Sequence, residues 1–455
     1  MGPENHDEEA GIMKHIVRLL ESHLAWLGAQ LSPGPLVIGY SGGMDSHVLL
    51  VWLAQFVRLV PGYSLQAVHV HHGLNPHADA WAEHCLRICR ELNVPCVVER
   101  VTVPRGPRES LEASAREVRY QALARHLPQG GTLLTAHHQD DQLETMLLAL
   151  KRGAGVRGLS AMPVRQPFAS GELVRPLLDC SRARLQEWAH QQQLVWIEDD
   201  SNQDERFDRN FLRAQILPLL QARWPSFGHT ASRSAELCGE QEALANEVAA
   251  ADLDTCQQAD GSLLLAELAR LSPPRRHNLL RYWLRRLSGA VPDRDAVLRI
   301  WSEVAMARQD ANPQLKTDCG VIRRYQGALY RLAVVAPVSG ATLVLDYPGS
   351  WVVGDKLLRL TPVTQGADLR LPTLDEPLSL RFAVGGSVRA HPAGRSGSRS
   401  LKKLWQEYEI APWQRSQIPL LFYGEQVAAA LGIFVSQDFV VADGGAGLAI
   451  SWGAE

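Results

Sequence analysis

The first half of this chain is predicted to fold as a doubly wound parallel α/β sheet, followed by an all-α block and a small α+β block. Three observations predict it. Short β-branched runs alternate with helical patterns at intervals of about thirty residues, the signature of a parallel sheet with crossover helices. After Pro218 the pattern turns to helical period, rich in Ala and Glu. From about residue 335 it breaks into short strands and Gly/Pro turns.

In chain order, residues 36–40, 65–70, 96–103 and 132–136 read as buried strands, each a compact apolar run. Between them, residues 46–60, 78–92 and 110–126 carry the spacing of amphipathic helices. A fifth strand near residues 173–177 and a helix capped by Ser181 complete the predicted sheet. Residues 231–251, 275–287 and 294–307 continue in helical period. A Gly/Ser/Arg stretch at 394–400 then leads into one further helix at 401–408. The 455 residues therefore divide into a leader helix region (1–34), an α/β domain (35–225), a helical domain (226–335) and a C-terminal α+β domain (336–455). No internal repeat is visible.

With 46% hydrophobic and 21% charged residues the composition is that of an ordinary globular protein. A net charge of -3 argues weakly against a nucleic-acid binder, although local basic surface decides that question. The seven cysteines contain no C-x-x-C pair, and Cys85 and Cys89 have the spacing of one helix face. An odd count without a framework fits a reducing compartment. The acidic N-terminus does not resemble a signal peptide. The most apolar run, residues 48–60, is broken by Gln55 and Arg58 and is too short to span a bilayer. A cytoplasmic protein with no membrane partner is expected.

The chemistry begins where the first strand runs into Ser41-Gly42-Gly43-Met44-Asp45-Ser46 and a helix follows at once. A strand, a glycine-rich turn and a helix N-terminus form an anion site, because backbone N–H groups and the helix dipole face the same point. The G-x-x-x-x-G-K-[ST] pattern is absent, and an aspartate stands in the loop instead. A carboxylate beside a triphosphate makes sense when it holds Mg²⁺. This hexapeptide resembles the loop of the ATP pyrophosphatase (PP-loop) superfamily. The resemblance implies cleavage of ATP between its α- and β-phosphates, with the loop gripping pyrophosphate while an acceptor oxygen attacks the α-phosphorus. It assigns Ser41, Gly42, Gly43, Met44, Asp45 and Ser46 to ATP.

Further stretches narrow the reading. His137-His138-Gln139-Asp140-Asp141-Gln142-Leu143-Glu144-Thr145 opens a helix directly after the fourth strand, and Arg152-Gly153-Ala154-Gly155-Val156-Arg157-Gly158-Leu159 follows it. Asp141 and Glu144 are three apart and share a helix face, at the strand end where α/β sheets place ligands. Asp141 could complete a Mg²⁺ sphere begun by Asp45; a solvated acidic first turn is the plainer alternative. Glu198-Asp199-Asp200-Ser201-Asn202-Gln203-Asp204 leads to Phe207, Arg209, Asn210 and Arg213, where the two arginines, four apart, can aim at one phosphate or carboxylate. Glu112-Ala113-Ser114-Ala115-Arg116-Glu117-Val118-Arg119-Tyr120 reads alone as an ordinary helix with ion pairs. His69, His71 and His72 end the second strand, and neutral polar roles suit them better than metal ligation. Near the C-terminus, Ser400-Leu401-Lys402-Lys403-Leu404-Trp405-Gln406-Glu407 precedes Pro412-Trp413 and Pro419-Leu420-Leu421.

Together these stretches resemble the lysidine synthetase family, with H-H-x-x-D-Q-x-E-T, D-x-S-N-x-D-x-x-F-x-R-N-x-x-R, E-A-x-A-R-x-x-R-Y and S-L-K-K-x-x-Q-E all present within residues 36–435. Asn75 departs from the pattern, where an arginine is usual after H-G-L. The resemblance implies an ATP- and Mg²⁺-dependent ligase whose partners are the isoleucine tRNA with a CAU anticodon and free L-lysine. The base would be adenylated at its carbon-2 oxygen, and the lysine ε-amine would displace AMP, shifting decoding to AUA and identity from methionine to isoleucine. Asp45, Asp141, Glu144, Arg209 and Arg213 are the implied catalytic set, with Asp45 and Asp141 on metal and His137 added to the ATP site. Two basic runs suggest tRNA contact: residues 275–286 hold five arginines and no acid, and residues 381–415 hold seven Arg/Lys against two Glu. Arg275, Arg276, Arg399, Lys402 and Lys403 are the expected contacts, while Trp405 and Trp413 are read as core. A thiolating relative and a non-catalytic tRNA binder are the alternatives. The oligomeric state stays open, a homodimer being one option.

Overall fold

The computed structural model describes residues 25–104, 111–200, 204–308, 311–333, 342–354, 356–441 and 445–454. Most of the expected leader region therefore lies outside the described residues, as do Ser201, Asn202 and Gln203. The chain forms two compact units, residues 1–248 and 249–455.

The first unit is built on a six-stranded sheet. Its strands and helices run β1 (Gly34–Gly39), α1 (Met44–Leu59), β2 (Tyr63–His71), α2 (Ala78–Glu91), β3 (Cys96–Arg100), α3 (Leu111–Arg125), β4 (Thr132–Leu134) and α4 (Gln139–Lys151). A hairpin of β5 (Arg165–Phe168) and β6 (Gly171–Val174) follows, then α5 (Arg182–Gln191). The sheet order is β3-β2-β1-β4-β6-β5. All neighbours are parallel except β5, which returns antiparallel as the edge. The expected fifth strand is thus β6, which starts and ends slightly earlier than its apolar run suggested; beyond it, Leu177 makes an isolated parallel bridge to His138. Ser181 caps α5 as expected, its Oγ accepting from Arg184 N–H.

Helix α1 is more deeply buried than its amphipathic reading implied. Val48, Leu49, Leu50, Trp52, Leu53 and Phe56 all lie at 1% exposure or less, because the helix is sandwiched between the sheet and α5. Trp52 meets Trp188 of α5 edge-to-face at 5.4 Å. Such an all-round apolar helix anchors the loop that precedes it. Strand order reverses between β1 and β4, which are neighbours although two crossover units separate them in sequence. That switch point opens a crevice at the carboxyl ends of both strands.

In the second unit the helical expectation holds for Pro273–Ser288 and Arg294–Arg299, the latter continued by a π-helical turn, Ile300–Ala305. A four-stranded antiparallel sheet of Leu263–Leu264, Gln314–Thr317, Gly320–Tyr325 and Ala328–Leu332 is present in addition. The C-terminal part pairs a five-stranded sheet with a three-stranded one and carries the expected helix at Leu401–Glu407. Trp405 is buried as expected, with Leu401 and Leu404. Trp413 is half-buried against Tyr325 and Tyr330, at 5.7 and 5.1 Å between ring centroids.

Candidate active site

The nucleotide loop leaves β1 at the switch point. Gly42 adopts φ +85°, and a Cβ there would lie 2.4 Å from Ile197 Cδ1 and 2.9 Å from Cys85 Sγ, so only glycine fits. Ile197 N–H donates to Gly42 O at 3.0 Å, which ties the loop to the chain leading towards Arg209 and Arg213. Ser46 Oγ donates to Gly43 O at 2.9 Å and lies 3.0 Å from Ser41 Oγ, closing the loop on itself. Gly43 is the N-cap of α1 and supplies no capping side chain, so the first N–H groups of the helix remain available to an anion. Met44 turns its side chain into the core, leaving its backbone as the part that can meet ATP.

Helix α4 begins on the neighbouring strand, β4. His138 is its N-cap: Asp141 Oδ2 accepts from His138 N–H at 3.0 Å, and His138 Nδ1 lies 3.4 Å from Asp141 N. The same imidazole turns Nε2 towards two carboxylates, Asp45 Oδ2 at 3.6 Å and Asp141 Oδ2 at 3.4 Å. The residues expected to share a metal are therefore brought to one place. Burial opposes a charge on His138, but Asp141 and then Asp45 outweigh it and raise its pKa. His138 did not stand out in the sequence beside His137; its position immediately before an acidic helix start was the available signal.

The cluster continues along α4. Glu144 has no exposed surface and is held by Arg213 through Nε to Oε1 at 2.8 Å and Nη2 to Oε2 at 3.0 Å. Arg209 Nε lies 3.4 Å from the same carboxylate, and its Nη2 donates to Thr145 Oγ1 at 3.2 Å. Arg213 Nη2 also donates to Asp141 Oδ1 at 3.2 Å. Burial pushes Glu144 upward and outweighs the downward pull of Arg213 and Arg209. Arg213 itself is raised, and its two-pronged contact is the geometry of an ionised carboxylate, so the pair is read as charged. Asp141 is buried too, yet His138, His137 and Arg213 hold its carboxyl below the usual range. The arginines four apart thus aim at one carboxylate, and Asp45, His138, Asp141, Glu144, Arg209 and Arg213 form one connected network.

His137 points elsewhere, its Nδ1 2.9 Å from Thr135 Oγ1. Burial first, with Arg119, Arg175 and Arg116 adding to it against Asp141, pushes it down to about 3, so it is a neutral group. Gln142 serves structure: its amide clamps Met162 through two hydrogen bonds of 2.8 Å. Arg116 and Arg119 both lie over the Tyr120 ring, at 5.1 and 5.5 Å. His69 Nδ1 lies 3.0 Å from Tyr40 O, and burial lowers its pKa, in keeping with a neutral role. Asn75 Oδ1 accepts from His77 N–H at 2.9 Å and shapes a local turn.

Two carboxylates on neighbouring strand ends suit Mg²⁺, which keeps waters and takes substrate phosphate oxygens to fill its shell. Asp45 Oδ1 supports the fit, being buried without a hydrogen-bond partner. Among the described residues no group of three or more His, Cys, Asp or Glu side chains forms a closed metal cage.

The expected RNA contacts fare differently. Arg275 pairs with buried Asp252, and Arg276 donates to Leu268 O and Leu271 O while lying 3.6 Å over the Trp301 ring. Arg399 and Arg395 both pair with Glu407. Lys402 and Lys403 are exposed on their helix, with no ion-pair partner among the described residues.

Residues 16–220 match the PP-loop domain family, residues 263–330 the TilS substrate binding domain and residues 378–452 the TilS substrate C-terminal domain. The chain is similar to the tRNA(Ile)-lysidine synthase of Shigella flexneri, with 47% identity covering 93% of this chain and 97% of that one. Its counterpart from Salmonella typhimurium is 47% identical, over 93% of this chain and 98% of its own. A solved U34-tRNA thiolase from Methanococcus maripaludis aligns over 50% of this chain and 80% of its own, at 14% identity and a TM-score of 0.42. By its near full-length likeness to these synthases, the chain belongs to the tRNA(Ile)-lysidine synthase family.

Proposed function

We propose that this protein uses ATP to adenylate the wobble cytidine of a CAU-anticodon isoleucine tRNA and then joins free L-lysine to carbon 2 of that base. The adenylation half is supported by the convergence of an open helix N-terminus with Asp45 and Asp141 at the switch point. The choice of substrates is supported by the likeness across 93% of the chain, which takes in both substrate-domain matches.

In this mechanism the loop N–H groups and the start of α1 receive the β- and γ-phosphates, so that pyrophosphate leaves from a preformed anion site. Asp45 and Asp141 would hold Mg²⁺, which neutralises charge on the leaving group. His138 holds both carboxylates at one point and fixes the first turn of α4. Arg209 and Arg213 sit beside that point with their charge partly met by Glu144, and serve to orient the adenylate. The incoming lysine amine, with an ordinary pKa of about 10.4, must lose a proton before it attacks. RNA recognition is assigned to the second unit and chemistry to the first. Lys402 and Lys403 are the favoured phosphate contacts there; Arg275, Arg276 and Arg399 are already engaged inside the fold. A cytoplasmic setting is part of the reading, in keeping with seven free cysteines. Among the described residues no helix is long and apolar enough to cross a membrane.

The test is to mix enzyme, tRNA and ATP labelled in its α-phosphate without lysine. Label is expected to accumulate on the tRNA and to leave as AMP when lysine is added. Release of AMP with no labelled tRNA at any time would overturn the adenylate intermediate.

A further inference from the structure

Trp224 stands beside the catalytic cluster, 52% exposed, and takes no part in the chemistry proposed for that cluster. It closes the helix Leu217–Arg223: its N–H donates to Leu220 O at 2.7 Å, and Pro225 cannot continue the turn. Phe227 N–H donates to Trp224 O at 2.9 Å, and a new helix begins there. A single exposed apolar side chain needs no explanation by itself. Three features set this one apart. Its ring is braced by that of Phe227, 6.0 Å away and tilted by 33°, and Phe227 packs on the small core of Leu143, Leu217 and Ala231. Its place is fixed against the start of α4 on both sides. Three residues before it, Gln221 Nε2 donates to Asp140 Oδ1 at 3.4 Å; four residues after it, a Cβ on Gly228 would stand 3.0 Å from Gln139 Oε1. Gln139 and Asp140 directly precede Asp141. Its surroundings are basic: residues 213–235 hold Arg213, Arg223 and Arg233 and no acid. The Arg223 guanidinium lies 5.8 Å over the indole, and Arg223 and Arg233 are exposed with no ion-pair partner among the described residues.

We propose that Trp224 is a stacking platform for the adenine that follows the wobble cytidine in the CAU anticodon, and that it positions the cytidine for adenylation. The proposal rests on the tRNA substrate argued above and names the group that holds the neighbouring nucleotide. To reach the carboxylates at the switch point, the cytidine must leave its stack in the anticodon loop. The adjoining adenine then loses a stacking partner, and an aromatic face at the rim of the site replaces it. A purine offers the indole a larger face than a pyrimidine does. Arg223, lying over the same ring, adds a cation for the phosphate between the two nucleotides. Stacking of this kind reads no base edge, so Trp224 is a positioning residue.

The experiment uses the full-length protein and an isoleucine tRNA with 2-aminopurine in place of that adenine. Filter binding gives the Kd, and probe emission is read at saturating protein. Trp224→Ala is expected to raise the Kd about tenfold, the size of one base–aromatic stack. Its salt slope should equal that of wild type, because no charge is lost. The bound probe should be brighter than in the wild-type complex, where the indole quenches it. Trp224→Phe keeps a ring and should restore most of the affinity, which a general loss of fold would not allow. Unchanged affinity and emission in Trp224→Ala overturn the proposal; a smaller oligomer in that variant would then make the indole a contact between copies of the chain. Lysine incorporation by the wild-type protein is read alongside. Its absence would overturn the proposed reaction, while the stack stands or falls on the binding data alone.

Discussion

At Asp45 one carboxylate oxygen faces His138 while the other is buried without a partner, so the residue's charge and its packing can be separated. Asp45→Asn keeps the shape and removes the charge. It is expected to abolish formation of adenylated tRNA in a single turnover while leaving tRNA affinity unchanged, since removal of a metal-held charge costs several kcal/mol in the transition state. A wild-type rate in the mutant would take Asp45 out of the mechanism. Glu144 has a structural duty as well. Glu144→Ala leaves two guanidiniums facing a buried space, a loss of about 3 kcal/mol for a broken buried pair. Its urea midpoint should fall clearly below that of the wild type, with Glu144→Gln, which still accepts a hydrogen bond, in between; a midpoint equal to the wild type would mean the pairs add nothing to stability. These acids were legible because D-Q-x-E and the arginine spacing have few readings. His138 was not, because its role depends on β1 and β4 being neighbours, which no local pattern states.

Helices and strands of the first unit were legible because burial on both sheet faces forces apolar runs. The edge strand β5 was missed for the converse reason. Its Arg165-Gln166-Pro167-Phe168 is only partly covered, and an edge tolerates Pro and charge. The sheet at 314–332 was hidden by arginines that lie inside it. Arg324 donates to Ala305 O and Arg331 to Cys319 O, so charged side chains here close backbone carbonyls and do not mark a surface. Two predictions belong at this scale. Gly42→Ala places a methyl group against Ile197 and Cys85 at a left-handed φ, and should raise the KM for ATP sharply while the second unit keeps its fold. Near-normal nucleotide kinetics in that variant would show that the loop is not clamped as described. In the C-terminal part, Arg370 and then the Thr373 N–H hold the Glu376 carboxyl down to about 2. Its folded pKa is below its unfolded one, so its contribution is complete above about pH 5 and fades as pH falls towards 2. The Tm gap between wild type and Glu376→Gln should therefore narrow over that window. A gap that stays constant would show that the pair does not stabilise the fold.

For the whole molecule, the sequence located the two basic runs but could not tell which charges were already neutralised. Counting gave seven Arg/Lys against two Glu in residues 381–415, yet Arg381, Arg395 and Arg399 are paired with acids within the fold, Arg389 donates to Ser398 and Arg415 to Ile410 O. Lys402 and Lys403 remain, and replacing both with Ala should weaken tRNA binding. Removing one lysine–phosphate interaction should reduce the salt slope by roughly one. Filter binding across a salt series reads this directly, and an unchanged slope would mean the pair does not touch RNA. The central claim, that lysine becomes bonded to a tRNA base at the cost of ATP, is tested by incubating enzyme, ATP, Mg²⁺ and isoleucine tRNA with labelled lysine. The account predicts label in the RNA, one AMP released per lysine incorporated, and the label recovered on the wobble cytidine after digestion; AMP release with no lysine in the RNA would contradict it.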